Sequence, residues 1–252
     1  MTKMYMVSLL SILPFTAPAC GSAQGGGEAP EAPKVYFVRD ITPENMVRLY
    51  EALERPATGK VAVKLSTGEP GGHNFLKPEL IKELVQKVDG TIVECNTAYG
   101  GGRASTENHL KAAADHGFTA IAPVDIMDAE GEVSLPVKGG RHLRENFVGS
   151  HYPAYDFTVV LSHFKGAVKN ISIGIASSAG KAWIHSAGKT KNAAQMWGNL
   201  PAQDDFLESM AEAAKSVADH CGEKILYINV MNNLSVDCDC DAHPEPPRMG
   251  DI

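Results

Sequence analysis

Short apolar runs alternate with amphipathic stretches along the chain after residue 33. The apolar runs predict buried strands at Val35–Val38, Val61–Leu65, Thr91–Glu94, Phe157–Leu161, Ile171–Ile175 and Ile225–Val230. Apolar residues at helical spacing predict helices at Pro43–Leu53, Pro78–Val88, Ser105–His116 and Gln203–Cys221. Thr42 before Pro43 is typical of a helix start. Strands that alternate with helices indicate an α/β fold, a mostly parallel open sheet with helices on both faces.

The pattern is less regular between residues 120 and 153, where we expect a small antiparallel insertion over one end of the sheet. A chain of 252 residues can form one large α/β domain or two small ones. The continuous alternation favours a single domain over residues 34–252. No capping helix follows the last motif, so we expect the chain to be a C-terminally truncated fragment of a longer protein.

The first 19 residues have the regions typical of a secretory signal peptide. An apolar run over residues 4–15 follows a lysine, and Ala17 and Ala19 fit a cleavage site. Cys20 also resembles the lipidated cysteine of a lipobox, although Ala17 replaces the usual large aliphatic residue. Residues 20–33 predict a flexible linker. We expect an exported protein of the cell envelope, attached to the membrane only through a lipid on Cys20; a frayed apolar N-terminus is the alternative.

The charge distribution favours one class of partner over another. The formal net charge is −7, which argues against a protein that coats nucleic acid. Residues 157–203, in contrast, contain no Asp or Glu but five lysines. A locally positive surface on an acidic protein predicts a small anionic ligand. A solvated lysine face is the alternative.

Two Gly-rich loops each connect a predicted strand to a predicted helix. Residues 66–73 follow Val61–Leu65, and residues 96–103 follow Thr91–Glu94. In a parallel sheet both loops lie at the carboxyl ends of strands, where open α/β folds bind ligands and where helix N-termini favour anions. Neither loop has a dinucleotide or Walker pattern, so a nucleotide is not indicated. Tight turns that bind no ligand are the alternative.

The candidate site residues lie in these loops and in the acid-free segment. His163 and Lys165 come directly after Phe157–Leu161, and His185 lies in a loop rich in small residues. Histidine at a strand end can act as an acid, a base or a metal ligand, and a merely hydrogen-bonded histidine is the alternative. We assign catalysis to His163, His185 and Lys165. The predicted ligand-binding residues are Lys64, Gly71, Gly72, His73, Arg103, Lys169, Asn170 and Lys189.

Cys238 and Cys240 form a Cys-x-Cys motif flanked by aspartates. Thiolates bind soft metal ions, but two cysteines leave a four-ligand shell incomplete. His243, Cys95 or a partner chain would have to supply the other ligands. A disulfide, strained in so small a ring, and a structural pair without chemistry are the alternatives. Cys95 and Cys221 lie in or beside apolar elements, which predicts packed side chains.

Several of these segments resemble the domain of unknown function 362 family, uncharacterised proteins associated with iron–sulfur clusters. The segments that carry the resemblance are Lys64–Asn74 (KLSTGEPGGHN), Leu161–Gly166 (LSHFKG), Lys169-Asn170, Ile184–Lys189 (IHSAGK) and the stretch from Asn232 to Asp241. The resemblance implies an α/β domain, often combined with a ferredoxin-type cluster segment, and names no reaction. It also implies a chain that continues past Ile252.

The chain departs from the family pattern in two ways. Residues 166–169 lack the Gly-rich insertion that is common there, which would reshape any pocket at that point. The chain also has no C-x-x-C-x-x-C run, so its own cysteines cannot build a ferredoxin-type [4Fe–4S] cluster.

We therefore expect an exported protein that binds an iron–sulfur cluster or a soft metal ion through Cys238 and Cys240, next to a His- and Lys-rich anion pocket. A non-catalytic lipoprotein that binds a carboxylate or phosphate ligand is one alternative. A thiol–disulfide redox protein is the other. Whether the protein is an enzyme stays open, and a homo-oligomer is compatible with the sequence.

Overall fold

The computed structural model of the protein describes residues 34–164, 167–237, 243 and 245–247. The predicted signal peptide and linker, with Cys20, lie outside these residues. The strands are β1 (Val61–Lys64), β2 (Gly90–Glu94), β3 (Val124–Ile126), β4 (Glu132–Pro136), β5 (Glu145–Gly149), β6 (Phe157–His163) and β7 (Ile225–Val230). Five of them form a parallel sheet in the order β3-β2-β1-β6-β7, and β4 pairs with β5 in a separate antiparallel pair.

Strand β1 lies at the centre of the parallel sheet. Val61 pairs with Gly90 of β2 on one side and with Phe157 of β6 on the other. All of β1 is buried, because helices cover both faces of the sheet, as parallel sheets require. Because these strands are parallel, the carboxyl ends of β1, β2, β6 and β7 lie at one edge of the sheet, which we call the carboxyl edge.

The helices of the described chain pack on both faces of this sheet. They are α1 (Pro43–Ala52), α2 (Pro78–Lys87), α3 (Thr106–Asp115), α4 (Ala167–Ile171), α5 (Ser178–His185), α6 (Ala193–Met196) and α7 (Gln203–Cys221). On one face Val63 packs in a core with Ile81 of α2, and on the other Ala62 packs in a core with Val217 of α7. This confirms the predicted fold class. No described helix has both the length and the apolar character to cross a membrane.

A local signal in the sequence sets the start of α1. The backbone N–H of Asn45 donates to Thr42 Oγ1 at 3.2 Å, and Pro43 is the first residue of α1. The hydroxyl thus satisfies one of the N–H groups that have no partner in a first helical turn. Helix α7 runs over the predicted residues, Gln203–Cys221.

Two predicted strands are wrong. Val35–Val38 forms no strand; it lies beside the end of β7, around a small cavity that Asn229 also lines, and Val35 is exposed. Ile171–Ile175 includes the end of α4 and a turn, and Ile171 and Ile175 pack in the α7 core. A short buried apolar run does not distinguish a strand from a buried turn or helix end, which explains the second error.

The expected antiparallel insertion is present between residues 120 and 153. Strands β4 and β5 pair over their full length, from Glu132–Gly149 to Pro136–Glu145. Asn146 of β5 donates from Nδ2 to Ser216 Oγ of α7 at 3.0 Å, which attaches the hairpin to that helix. Strand β3, in contrast, joins the parallel sheet at its edge.

Candidate functional site

The two Gly-rich loops pack against each other at the carboxyl edge. A Cβ atom on Gly102 of the second loop would overlap Pro70 Cγ of the first, so the close approach requires glycine. Arg103 joins the loops further, because its Nη2 and Nε atoms donate to Glu69 Oε1 at 2.8 and 3.0 Å. The loops therefore form one unit.

Glu94, the last residue of β2, is a buried carboxylate between two cations. It accepts from Lys64 Nζ at 2.9 Å, from Arg103 Nη1 at 3.3 Å and from the backbone N–H of Thr67 at 2.8 Å. Burial favours the neutral carboxyl, but the charge of Lys64, a hydrogen bond with His109 and the charge of Arg103 hold the pKa of Glu94 well below its usual range. Glu94 is thus ionised and fixes both cations at the carboxyl edge.

A cavity of about 400 Å³ opens at these residues and is bounded by the sheet, α4, α5 and α7. We call it the cavity. Of the predicted site residues, five line it: Lys64, Arg103, Lys169, Asn170 and His185. Glu94 and Lys181 are further polar members of the lining that the sequence analysis did not select.

The charged lining of the cavity is predominantly cationic. Lys64, Arg103, Lys169 and Lys181 face a single lining carboxylate, Glu94, among the described residues. Lys181 is buried and donates from Nζ to three backbone carbonyl oxygens, at 2.7 to 3.2 Å. Burial lowers the pKa of Lys181, and burial and then the charge of Arg103 lower the pKa of Lys169. An anionic ligand would relieve this concentration of positive charge.

His185 is held in one tautomer. Its Nδ1 atom lies 2.7 Å from the carbonyl oxygen of Lys181, which can only accept, so Nδ1 carries the proton. Its ring stacks on Phe206 with centroids 5.0 Å apart. Burial lowers the pKa of His185. The neutral ring therefore has a lone pair on Nε2, for which the described part of the chain supplies no hydrogen-bond donor.

The other described candidates do not line the cavity. Gly71 and His73 are exposed and Gly72 is half-buried, on the outer part of the first loop. His163 donates from Nε2 to the carbonyl oxygen of Asn232 at 2.5 Å, and Lys189 is exposed after α5. The roles assigned to these residues stay predictions.

Lys165, Cys238 and Cys240 lie outside the described residues, so their catalytic and metal-binding roles also stay predictions. Cys95 is buried and its thiol donates to the carbonyl oxygen of Ile175 at 3.4 Å. Burial raises the pKa of this thiol to about 12, which disfavours it as a metal-binding thiolate. The Sγ atom of Cys221 lies 3.1 Å from Tyr152 Oη. Both cysteines are packed, as predicted.

A second polar group, which the sequence analysis missed, lies between the β4–β5 hairpin and α7. His142 Nε2 is 2.7 Å from Glu208 Oε2 and 3.7 Å from Asp205 Oδ1. Such a set of one imidazole and two carboxylates could hold a metal ion. Arg141 Nη1 already pairs with Glu208 at 3.0 Å, however, which reduces the negative charge available to a cation.

A sequence profile of the family described as Domain of unknown function (DUF362) matches residues 61–252. The chain belongs to this family. Among solved structures, the chain is similar to the lactate racemase apoprotein from Thermoanaerobacterium thermosaccharolyticum, with a TM-score of 0.45 and 16% sequence identity over 79% of this chain and 54% of that chain. This chain thus spans about half the length of that protein. No curated protein matches the sequence.

The family assignment gives the cavity its context. Three of the segments that carry the DUF362 resemblance contribute to the lining, through Lys64, Lys169, Asn170 and His185.

Glu94 could have been found in the sequence, because it ends a strand directly before a Gly-rich loop, as Lys64 does on the neighbouring strand. The only sequence signal for Lys181 was that it is one of the five lysines of the acid-free segment. Phe206 belongs to the apolar residues whose helical spacing predicted Gln203–Cys221, and in the structure it lines the cavity.

Proposed function

We propose that the cavity of this DUF362 chain binds a small organic anion, with a carboxylate or phosphate group at Arg103 and Lys169. The observation that carries this proposal is the excess of cationic over acidic side chains in the lining. Because the cavity is partly closed from water, each of these charges acts more strongly than it would on the surface.

Arg103 and Lys169 both line the cavity, and burial and then the charge of Arg103 lower the pKa of Lys169, so an anion beside them would interact with both cations. Lys64 is paired with Glu94, and Lys181 is occupied by three carbonyl oxygens. A guanidinium has five N–H donors, and Arg103 directs three hydrogen bonds to Glu69 and Glu94. A hydrogen bond with the side chain of Tyr99 takes a fourth donor, so one N–H is left for an anion, and Lys169 adds a neighbouring ammonium group.

His185 supplies a candidate for proton transfer at the same site. A neutral imidazole with its proton fixed on Nδ1 can accept a hydrogen bond, or a proton, at Nε2. The lowered pKa keeps the ring neutral at pH 7. If the protein is an enzyme, His185 is the residue that would take a proton from a ligand held by Arg103 and Lys169.

Calorimetric titration with inorganic phosphate and with acetate tests the anion site. Lys169→Ala should weaken binding at least about tenfold, as expected for loss of a charged hydrogen bond. Lys189→Ala is the matched control, because Lys189 belongs to the same acid-free segment but does not line the cavity. Equal effects of the two substitutions would contradict the proposal, and so would the failure of acetate, inorganic phosphate and the longer carboxylate hexanoate all to bind to the unmodified protein.

A metal or iron–sulfur species at Cys238 and Cys240 is a separate part of the proposed function. Its support is the Cys-x-Cys pattern of the sequence, because thiolates bind soft metal ions. Metal content should be measured after anaerobic purification of the chain and of the Cys238→Ser variant. Cys221→Ser is the control. Metal content near zero, or unchanged in Cys238→Ser, would contradict metal binding at Cys238 and Cys240.

Export with lipidation at Cys20 is also part of the proposal, supported only by the plan of residues 1–20. Processing in a bacterial host should be sensitive to globomycin and should be lost in Cys20→Ala. Globomycin-insensitive processing would indicate ordinary cleavage after Ala19, and unprocessed protein would argue against export.

A further inference from the structure

The cavity has an apolar side as well as a cationic one. Four half-buried or exposed apolar residues contribute to its lining and form what we call the apolar wall: Ile173, Trp197, Phe206 and Met210. Phe206 and Met210 are four residues apart on α7, so they project from the same helix face. Trp197 is 61% exposed, which is unusual for so large an apolar side chain beside a cavity.

The apolar wall and the cationic residues are contiguous. Phe206 stacks on the ring of His185, and the charge of Lys169 is among the causes that lower the pKa of that imidazole. Burial and then the charge of Arg103 lower the pKa of Lys169, and both cations line the same cavity as His185 and Phe206. A ligand whose charged group lies at Arg103 and Lys169 would therefore extend its remaining atoms past His185 toward Phe206.

We infer that the ligand is an amphipathic anion, an aryl or alkyl chain bearing a carboxylate or phosphate, rather than inorganic phosphate or a two-carbon acid. This inference deepens the proposed anion site and rests on it. The volume of about 400 Å³ is in the range of cavities that enclose whole organic ligands. A bare ion would leave water against the apolar wall, whereas an apolar body would displace that water.

A homologous series measures this preference directly. Calorimetric titration with acetate, butyrate, hexanoate and 3-phenylpropionate should show affinity rising about fourfold for each methylene buried. Inorganic phosphate and phenyl phosphate form a second pair, in which an aromatic ring is added while the charged group stays a phosphate. We expect the aromatic member to bind more tightly in both sets.

Substitutions on α7 separate the apolar wall from its surroundings. Phe206→Ala should weaken 3-phenylpropionate at least about tenfold and acetate less than about twofold. Leu207→Ala is the matched control, because Leu207 is the next residue on the helix, is 47% exposed and does not line the cavity. Trp197→Ala, with Leu200→Ala as its control, repeats the comparison at exposed positions where the fold is not at risk.

The outcomes distinguish this inference from the anion site itself. Equal affinity for acetate and hexanoate, with both weakened by Lys169→Ala, would overturn the inference and leave the anion site intact. Tighter binding of long acids that neither Phe206→Ala nor Trp197→Ala reduces would place the apolar body elsewhere and also overturn it. Failure of every anion to bind would overturn both.

Discussion

Replacing Glu94 with glutamine should destabilise the protein strongly. The substitution keeps the shape of the side chain but removes a charge that Lys64 Nζ contacts at 2.9 Å and Arg103 Nη1 at 3.3 Å. Lys64 is only 1% exposed, so water stabilises its charge poorly once the carboxylate is lost. Arg103 keeps its pair with Glu69, so most of the cost falls on Lys64.

The expected loss in the free energy of unfolding follows from the cost of leaving a buried charge without its partner. Breaking a buried ion pair by removing one partner costs about 3–5 kcal/mol. A domain of this size loses roughly 2–4 °C in Tm for each kcal/mol, so Glu94→Gln should lower Tm by about 6–20 °C. Natural domains have a free energy of unfolding of only about 5–15 kcal/mol, so the loss is a substantial fraction of the total.

Urea unfolding followed by the fluorescence of the two tryptophans measures this loss. Glu51→Gln is the control, because Glu51 pairs with Lys87 on the surface and its loss should cost under about 1 kcal/mol. Adding Lys64→Met to Glu94→Gln removes the unpaired charge and should recover part of the stability. A loss below about 1 kcal/mol in Glu94→Gln would refute the reasoning, and so would a double variant weaker than either single one.

The pH dependence has a defined sign. The pKa of Glu94 is lower in the folded state than in the unfolded chain, where it is about 4.3. The ionised carboxylate therefore contributes its full stabilisation above about pH 4.3 and loses it as pH falls toward the folded pKa. The difference in unfolding free energy between the unmodified protein and Glu94→Gln should be constant near neutral pH and should shrink below about pH 4.

Two further predictions test the packing around the cavity. Gly174→Ala should lower the free energy of unfolding by about 1–3 kcal/mol and weaken anion binding, because the new Cβ would overlap the carbonyl oxygen of Asn170 and lie 2.6 Å from Lys64 Cε. Urea unfolding and calorimetric titration measure the two effects, and unchanged values in both would contradict the prediction. Cys95 should resist a thiol reagent in the native state and react on unfolding, because burial raises the pKa of its thiol to about 12. Mass spectrometry locates the labelled cysteine, and labelling of Cys95 in the native protein as fast as that of Cys221 would contradict the prediction.

Much of the fold could be predicted from the sequence because local and tertiary signals agree. Runs such as Phe157–Leu161 are apolar enough to be buried on both faces, and Thr42 and Pro43 mark the start of α1 chemically. The errors occurred where that agreement is absent. Ile171–Ile175 is as apolar as a strand, but it is buried by α7 within a helix end and a turn rather than by strand pairing.

The candidate site was predictable in its place but not in its chemistry. The rule that ligands bind at strand carboxyl ends led to Lys64. The run of small residues led to His185, which does not lie in a loop as predicted but is the last residue of α5. The pairing of Lys64 with Glu94 was not predictable, because it joins side chains 30 positions apart through the register of β1 and β2. The role of Phe206 was hidden for another reason: helical periodicity identifies an apolar face but not whether that face meets a core or a cavity.

A crystal structure with a bromine-labelled ligand tests the central claim most directly. Crystals soaked in 3-(4-bromophenyl)propionate should show anomalous bromine density in the cavity beside Phe206, with the carboxylate within hydrogen-bond distance of Arg103 or Lys169. Bromine density only outside the cavity, for example beside the exposed Lys189, would contradict the account. A ligand in the cavity with its carboxylate at Phe206 and its ring at Arg103 would contradict it equally.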